Sequence, residues 1–305
     1  MIQFLKKYSP FFVLLLLVWL LLELFYRNVP NNYSYKYKNV VKSKDNIELL
    51  LLGNSHVLYG LNPNYFEKKT FNLSNISQTL YFDKLLFDSY HSQFTNLKTV
   101  VISVEYTSLF QVDDSGEDIW RKYYYHHFMD LDVPTVSNLS SKTYSASLIN
   151  SFQTSVRHIN TYFTKGTILD VDSTGFGYNY NKKDRILISS VANSIINKHE
   201  NQVDDISENV KKIEDIIQIC KQKKYNVVLL SMPVSKDYSS GINQTKKQLV
   251  FKTLKSLANK NDHVFYLNLF EDNRFSNNDF YDADHLHSDG AVKCSKIVSE
   301  FVSNL

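Results

Sequence analysis

Ile47-Glu48-Leu49-Leu50-Leu51-Leu52-Gly53-Asn54-Ser55-His56 is the stretch on which the fold turns. Residues 47–52, apolar but for Glu48, are a run of strand length, and Gly53 bounds it. Such runs suit a strand buried on both faces, as in a parallel sheet. Ser55 then falls at a strand-to-helix turn, where its Oγ and its own N–H would face the space above the sheet. Similar runs recur at residues 70–73, 99–104, 227–230 and 264–269. Between them lie helical patterns. Val210, Ile213, Ile216, Ile217 and Cys220 form one apolar face, Leu249, Leu254 and Leu257 another, and residues 291–301 read as a closing helix after Gly290. Strands alternating with helices predict an α/β fold with a doubly wound, mostly parallel sheet of five strands. In such sheets the site lies just beyond the carboxyl ends of the strands.

The chain has 305 residues, 43% hydrophobic and 21% charged, which is enough for one sizeable domain plus extras. A formal charge of +3 and the absence of a dense basic stripe argue against a nucleic-acid partner. The 21 tyrosines read first as composition bias and second as platforms for sugars. Cys220 and Cys294 have neither metal-ligand nor CxxC spacing and read as two buried, unpaired thiols.

Residues 11–26 are nearly all Leu, Val and aromatic, with Glu23 near the end, Lys6 and Lys7 before them and Arg27 after. At about 1.5 Å per residue the run falls slightly short of the roughly 30 Å hydrocarbon core, and snorkelling basic residues extend its reach. Small residues of a cleavage site do not follow. We therefore expect residues 1–27 to be a short cytoplasmic tail and an uncleaved transmembrane signal-anchor. Residues 28–46, rich in Asn, Tyr and Lys, read as a polar tether. Residues 47–305 form the expected catalytic domain. The stretch at about 111–205 is too long for one crossover and reads as an insertion over the sheet's edge, a lid or substrate wall. It includes Trp120, the run Tyr123 to His127, a helix around residues 148–163 and a turn at Gly175-Phe176-Gly177.

Two segments carry chemistry. The first is Gly53-Asn54-Ser55-His56. The second, after the last strand, is Tyr281-Asp282-Ala283-Asp284-His285-Leu286-His287-Ser288-Asp289-Gly290-Ala291. An Asp three residues before a His on one loop can hold the imidazole in the tautomer that accepts a serine proton. The pair Asp284 and His287 has the same spacing and stands as an alternative to Asp282 and His285. Asp282, Asp284, His285 and His287 could also ligate a cation, but four ligands from one short loop are crowded, and no metal or other cofactor is expected. His56, His126 and His127 read as surface or packing histidines.

The two segments together resemble the SGNH/GDSL hydrolase superfamily, and within it the membrane-anchored bacterial branch, with its teichoic-acid D-alanine transfer proteins and polysaccharide O-acetyltransferases. The first block of that family, Gly-Asp-Ser or Gly-Ser-Ser-His, is matched by residues 53–56. Its last, Asp-x-x-His-Leu-Asn-x-x-Gly-Ala, is matched by residues 282–291, with His287 in the Asn place. The resemblance implies a three-layer α/β/α, flavodoxin-like sandwich in which Ser55 is the nucleophile, His285 the general base and Asp282 its orienter. The family's second block corresponds to residues 72–78, where Ser77 stands for a Gly whose N–H is an oxyanion donor. The third should follow residues 99–104, but Glu105-Tyr106 occupies that place, so its Asn donor is either absent or supplied elsewhere, by Asn75 or Gln78. The resemblance further implies an exported, membrane-anchored esterase or O-acyltransferase acting on acyl esters of envelope polysaccharides, partnered by a multi-spanning acyl-donor transporter. The competing reading is a non-catalytic, membrane-tethered glycan-binding or assembly factor on the same fold.

Overall fold

The computed structural model describes residues 2–111, 118–200 and 205–305, so residues 112–117 and 201–204 of the expected insertion lie outside the described residues. The chain divides into two compact units: Met1–Tyr37 with Gly116–Leu169, and Lys38–Ser115 with Asp170–Leu305.

The second unit contains the sheet. Its strands are β1 (Leu49–Leu52), β2 (Thr70–Asn72), β3 (Thr99–Ser103), β4 (Asn226–Ser231) and β5 (Val264–Asn268). Four of the five expected runs contain one of them, and β4 extends the run at 227–230 by one residue at each end. They pair in the order β2-β1-β3-β4-β5, and every pairing is parallel. This is the flavodoxin-like order, which reverses direction between β1 and β3. Leu49 to Leu52 and all of β3 are buried, as a central strand covered on both faces requires.

In chain order the helices among the described residues are α1 (Ile2–Asn28), α2 (Asn32–Ser43), α3 (Ser55–Gly60), α4 (Leu80–Tyr90), α5 (Lys122–Phe128), α6 (Phe152–Lys165), α7 (Ile188–Glu200), α8 (Ser207–Lys223), α9 (Lys236–Gly241), α10 (Gln244–Asn259) and α11 (Ser288–Ser303). The predicted face of α8 turns inward, with Ile213, Ile216, Ile217 and Cys220 buried. On α10, Val250, Leu254 and Leu257 are buried but Leu249 is exposed. Val298, Val302 and Cys294 of α11 join Leu49, Leu51 and Val57 in the core. Both cysteines are buried and free.

The first unit holds α1, which is long and apolar enough to cross a membrane and whose apolar stretch is not buried within the protein. With 27 residues it is about 40 Å long, more than the hydrocarbon core. Two expectations change. The stretch read as a tether is largely helical: α2 turns Tyr33, Lys36 and Val40 inward, a helical spacing hidden in an Asn- and Lys-rich composition. The stretch read as an insertion is divided between the two units. Residues up to Leu169 group with α1, because Ser145, Ser147 and Ser155 bond to Glu23 and Tyr26, whereas residues from Asp170 onward belong with the sheet.

At the end of β1, Gly53 has φ of +144°, a conformation that side-chain-bearing residues avoid, and a Cβ there would lie 2.9 Å from both the Ser103 Cβ and the Val57 Cγ2. The turn that presents Ser55 thus depends on a missing side chain. Gly53→Ala combines backbone strain with overpacking and is expected to lower stability by about 2–4 kcal/mol. Urea unfolding of the full chain in detergent measures this; a loss below about 1 kcal/mol would mean that the turn relaxes freely.

Candidate active site

Ser55 is the first residue of α3. Asn54 caps the helix, its side chain accepting the His56 N–H at 3.0 Å. The Ser55 N–H has no acceptor within the helix, as for any first-turn residue. The loop at 280–287 is closed by a bridge between Phe280 and Leu286 and by the Tyr281 N–H donating to the His285 carbonyl at 2.8 Å. Within it, Asp282 Oδ1 accepts the N–H groups of Asp284 (3.1 Å) and His285 (2.8 Å), so the carboxylate is positioned before it meets any side chain.

These two segments meet. Ser55 Oγ lies 2.8 Å from His285 Nε2, and His285 Nδ1 lies 3.1 Å and 3.2 Å from the two Asp282 oxygens. With the Nδ1 proton assigned to the Asp282 side, Nε2 is the acceptor for the serine proton. His287 is elsewhere engaged. Its Nδ1 accepts the N–H groups of Asp289 and Gly290 to cap α11, and its Nε2–H donates to the Asn278 carbonyl at 2.5 Å. It forms no pair with Asp284 of the kind His285 forms with Asp282.

Asp284 instead has partners that local spacing does not reveal. Its side chain is 1% exposed, and it lies 3.1 Å from His285 Nδ1, 3.2 Å from His56 Nε2 and 4.0 Å from His199 Nδ1. His56, expected to be a packing or surface residue, is buried and stacks on His285 with ring centroids 4.4 Å apart. Its other ring nitrogen faces Asn54 Oδ1 at 3.0 Å. His199, on α7, also meets the Tyr238 hydroxyl at 2.7 Å. Adjacency to Ser55 was a signal for His56; His199 had none. His126 and His127 lie in the first unit.

The charges follow from burial and proximity. Burial works against a charged His285, but the carboxylates of Asp284 and Asp282 outweigh it and hold its pKa well above the usual histidine value. The same pairing holds Asp284 well below the usual carboxylate range despite its burial. His199 is pushed down to about 4 by burial, only partly opposed by Asp284. Glu105, which follows β3, is buried; burial raises its pKa against the effects of His56, Ser103 and the Met232 N–H.

The expected oxyanion substitutes are placed differently from one another. Ser77 has φ of +54°, a left-handed conformation that fits a position where a glycine was expected. Asn75 Nδ2 donates to Gln78 Oε1 at 3.0 Å, and Gln78 Nε2 donates to Asp83 Oδ1 at 2.6 Å. Asp83 also accepts the Gly53 N–H, and burial pushes its pKa up to about 7. Asn75 and Gln78 therefore brace the turn before Ser55 through Asp83.

A strap from the second half of the insertion closes the side of the site. Gly177 N–H donates to the Leu58 carbonyl, Asn72 N–H to the Thr174 carbonyl and Ser288 N–H to the Tyr180 carbonyl. Gly175 (φ +87°) lets the strap approach the Asn72 carbonyl, which a Cβ would meet at 2.0 Å. Tyr180 stacks between Tyr59 and Tyr281, at 3.9 Å and 4.1 Å, and sets its ring edge-on to His285 at 5.4 Å. Ligand atoms of His56, Asp284 and His285 lie within 4.8 Å of one another and could hold a cation. That would draw His285 out of its arrangement with Ser55 and Asp282. The four-residue loop set considered from sequence is not gathered, because His287 caps α11.

No protein-family model and no curated protein matches the chain. Among solved structures, it is similar to a candidate platelet activating factor from Streptococcus pneumonia, at 14% identity over 96% of this chain and 99% of that one, with a TM-score of 0.44. It is also similar to a GDSL-like lipase from Bacteroides thetaiotaomicron (12% identity, 89% and 100% covered, TM-score 0.41) and a candidate acylhydrolase from Bacteroides fragilis (12%, 88% and 95%, 0.42).

Two carboxylates on one imidazole make a testable electrostatic arrangement. Asp284→Asn keeps the shape and removes one negative charge that favours the imidazolium, so the His285 titration should move to lower pH. NMR titration of labelled histidine in the full chain, assigned with His285→Gln, measures the midpoint. An unmoved midpoint would show that Asp284 does not act on His285.

Proposed function

We propose that the protein is a membrane-anchored serine acyl enzyme of the SGNH type, an esterase or O-acyltransferase acting on acyl esters of cell-envelope glycans. The observation that carries this reading is the succession Ser55 Oγ, His285 and Asp282, spaced 2.8 Å and 3.1 Å apart across the two ring nitrogens of His285 at the carboxyl edge of the sheet. A binding module would not require that arrangement. The resemblance of residues 53–56 and 282–291 to the family's end blocks supports the same assignment.

In the proposed reaction, Ser55 Oγ attacks the ester carbonyl while its proton passes to His285 Nε2. The carbonyl oxygen becomes an oxyanion, for which the N–H groups of Ser55 and Ser77 are the candidate donors. Collapse breaks the ester C–O bond, and His285 returns the proton to the leaving alkoxide. The acyl group remains on Ser55. Water or a glycan hydroxyl then attacks with its proton passing to His285, and Ser55 is released protonated. Asp282 orients the imidazole and stabilises its charged form throughout. No step needs a metal or a cofactor.

The anchor α1 supports action close to a bilayer, with the second unit on the extracytoplasmic side of a bacterial cytoplasmic membrane. Substrates there are envelope polysaccharides, and acyl transfer across the membrane would call for a multi-spanning donor protein. The glycan-binding alternative draws on Glu105-Tyr106 in place of the family's third-block donor.

Incubation of the full chain in detergent with p-nitrophenyl acetate tests the reading. The wild type should release nitrophenol and carry an acetyl group on Ser55, detected by intact mass and peptide mapping. Ser55→Ala and His285→Ala should each lose at least about 10³-fold in rate, and Asp282→Asn about 10²–10⁴-fold. Equal rates in folded wild type and Ser55→Ala, with no acyl adduct, would refute the catalytic assignment and favour the binding module.

A further inference from the structure

The first unit carries a second apolar surface besides α1. Helix α6 turns Ser155, His158 and Tyr162 toward α1: the Tyr26 hydroxyl donates to Ser155 Oγ at 3.1 Å and lies 3.0 Å from His158 Nδ1, and Tyr162 meets Phe25 edge-on. At about 100° per residue, Phe152, Val156 and Phe163 fall within about 40° on another face. That face is bare: Phe152 is 70% exposed and Phe163 81%. Leu139, Tyr144 and Leu148 are also exposed in the segment leading to α6, Leu139 by 98%. The third face, with Gln153, Arg157, Asn160 and Thr164, is polar and exposed. A helix with one face docked, one apolar and one polar suits the boundary between water and hydrocarbon.

The depth of this segment is fixed by α1. Trp19, Glu23 and Arg27 share one side of that helix, and all three bind residues 144–147. Trp19 Nε1–H donates to Ser145 Oγ at 3.2 Å. Glu23 accepts from Ser145 Oγ (2.7 Å), the Ser147 N–H (3.0 Å) and the Ala146 N–H (3.3 Å). Arg27 donates to the Tyr144 carbonyl at 3.2 Å. A carboxylate facing lipid alone is costly, so a chain segment that satisfies Glu23 must lie where Glu23 lies. The exposed residues Leu14, Leu16, Leu17 and Leu21 continue the same helix. Charge agrees as well. Residues 133–169 contain Lys142, Arg157 and Lys165 and no Asp or Glu, which suits an anionic headgroup layer.

We propose that residues 139–165 form a membrane-interface platform, with α6 lying in the headgroup region of the bilayer that α1 crosses and with Phe152, Val156 and Phe163 reaching the acyl boundary of anionic phospholipid. This takes from the proposed function only that α1 spans a bilayer; it is independent of the chemistry at Ser55. The platform adds a second attachment, which restricts tilt and rotation of the first unit about α1.

Single cysteines at Phe152, Phe163, Leu17 and Lys255 test it, each carrying an NBD fluorophore in the full chain reconstituted into phosphatidylglycerol–phosphatidylcholine vesicles. Protein without an added cysteine sets the background from buried Cys220 and Cys294. Brominated acyl chains should quench the probes at Phe152 and Phe163 several-fold more than the probe at Lys255, an exposed residue of α10, with shallower-placed bromines the more effective. The Leu17 probe should be quenched most by deep bromines. Quenching at Leu17, with Phe152 and Phe163 behaving like Lys255, overturns the platform while leaving the anchor intact. Protection of Phe163 in native membranes but not in pure lipid overturns it in favour of a protein partner. An unquenched Leu17 probe removes the spanning helix on which the proposal rests.

Discussion

A buried carboxylate, Asp284, ties the candidate site together. Taking such a charge out of water costs several kcal/mol unless partners replace its hydration. Here they come from separate parts of the second unit: His56 after β1, His285 on the same loop, and His199 at a longer distance from α7. Meeting those partners joins the turn that carries Ser55 to the loop that carries Asp282 and His285. The stacking of His56 on His285 is part of the same constraint, because parallel imidazoles 4.4 Å apart tolerate one added proton far better when an anion bridges them. Asp282 works within this frame, its geometry set by two backbone N–H groups.

The arrangement of strands was legible because a parallel sheet buried on both faces leaves uninterrupted apolar runs, and β1 and β3 are the clearest of these. The convergence of Ser55 with His285 was legible because the doubly wound topology gathers the strands' carboxyl ends, whatever their separation in sequence. What remained hidden depends on tertiary pairing. His56 could be read as packing until Asp284 appeared beside its Nε2, and His199 sits on a helix with no motif of its own. Asn75 and Gln78 have the right chemistry for amide donors, and their bonds to each other and to Asp83 could not be read from the sequence. Helix α2 was obscured for a different reason: Tyr33, Lys36 and Val40 have helical spacing, but Asn- and Lys-rich surroundings give a polar, linker-like composition.

Two carboxylates on one imidazole have opposing effects on the proposed reaction. They stabilise the imidazolium that forms as Ser55 loses its proton, which strengthens His285 as a base. They also raise the pKa of the resting ring, so less of it is in the accepting form at neutral pH. A histidine oriented by Asp282 alone would be a weaker base that is more often ready. The protein's remaining groups limit the imbalance. Glu105 is shifted toward its neutral form by burial, and the imidazole of His199 is pushed strongly toward neutral. The net charge around His285 is therefore governed mainly by Asp282 and Asp284. In the proposed reaction, an acyl ester beside Ser55 would lower the local dielectric, which strengthens both attractions and also raises the cost of the charged ring, so the two carboxylates are what keep proton transfer to His285 favourable as the site fills.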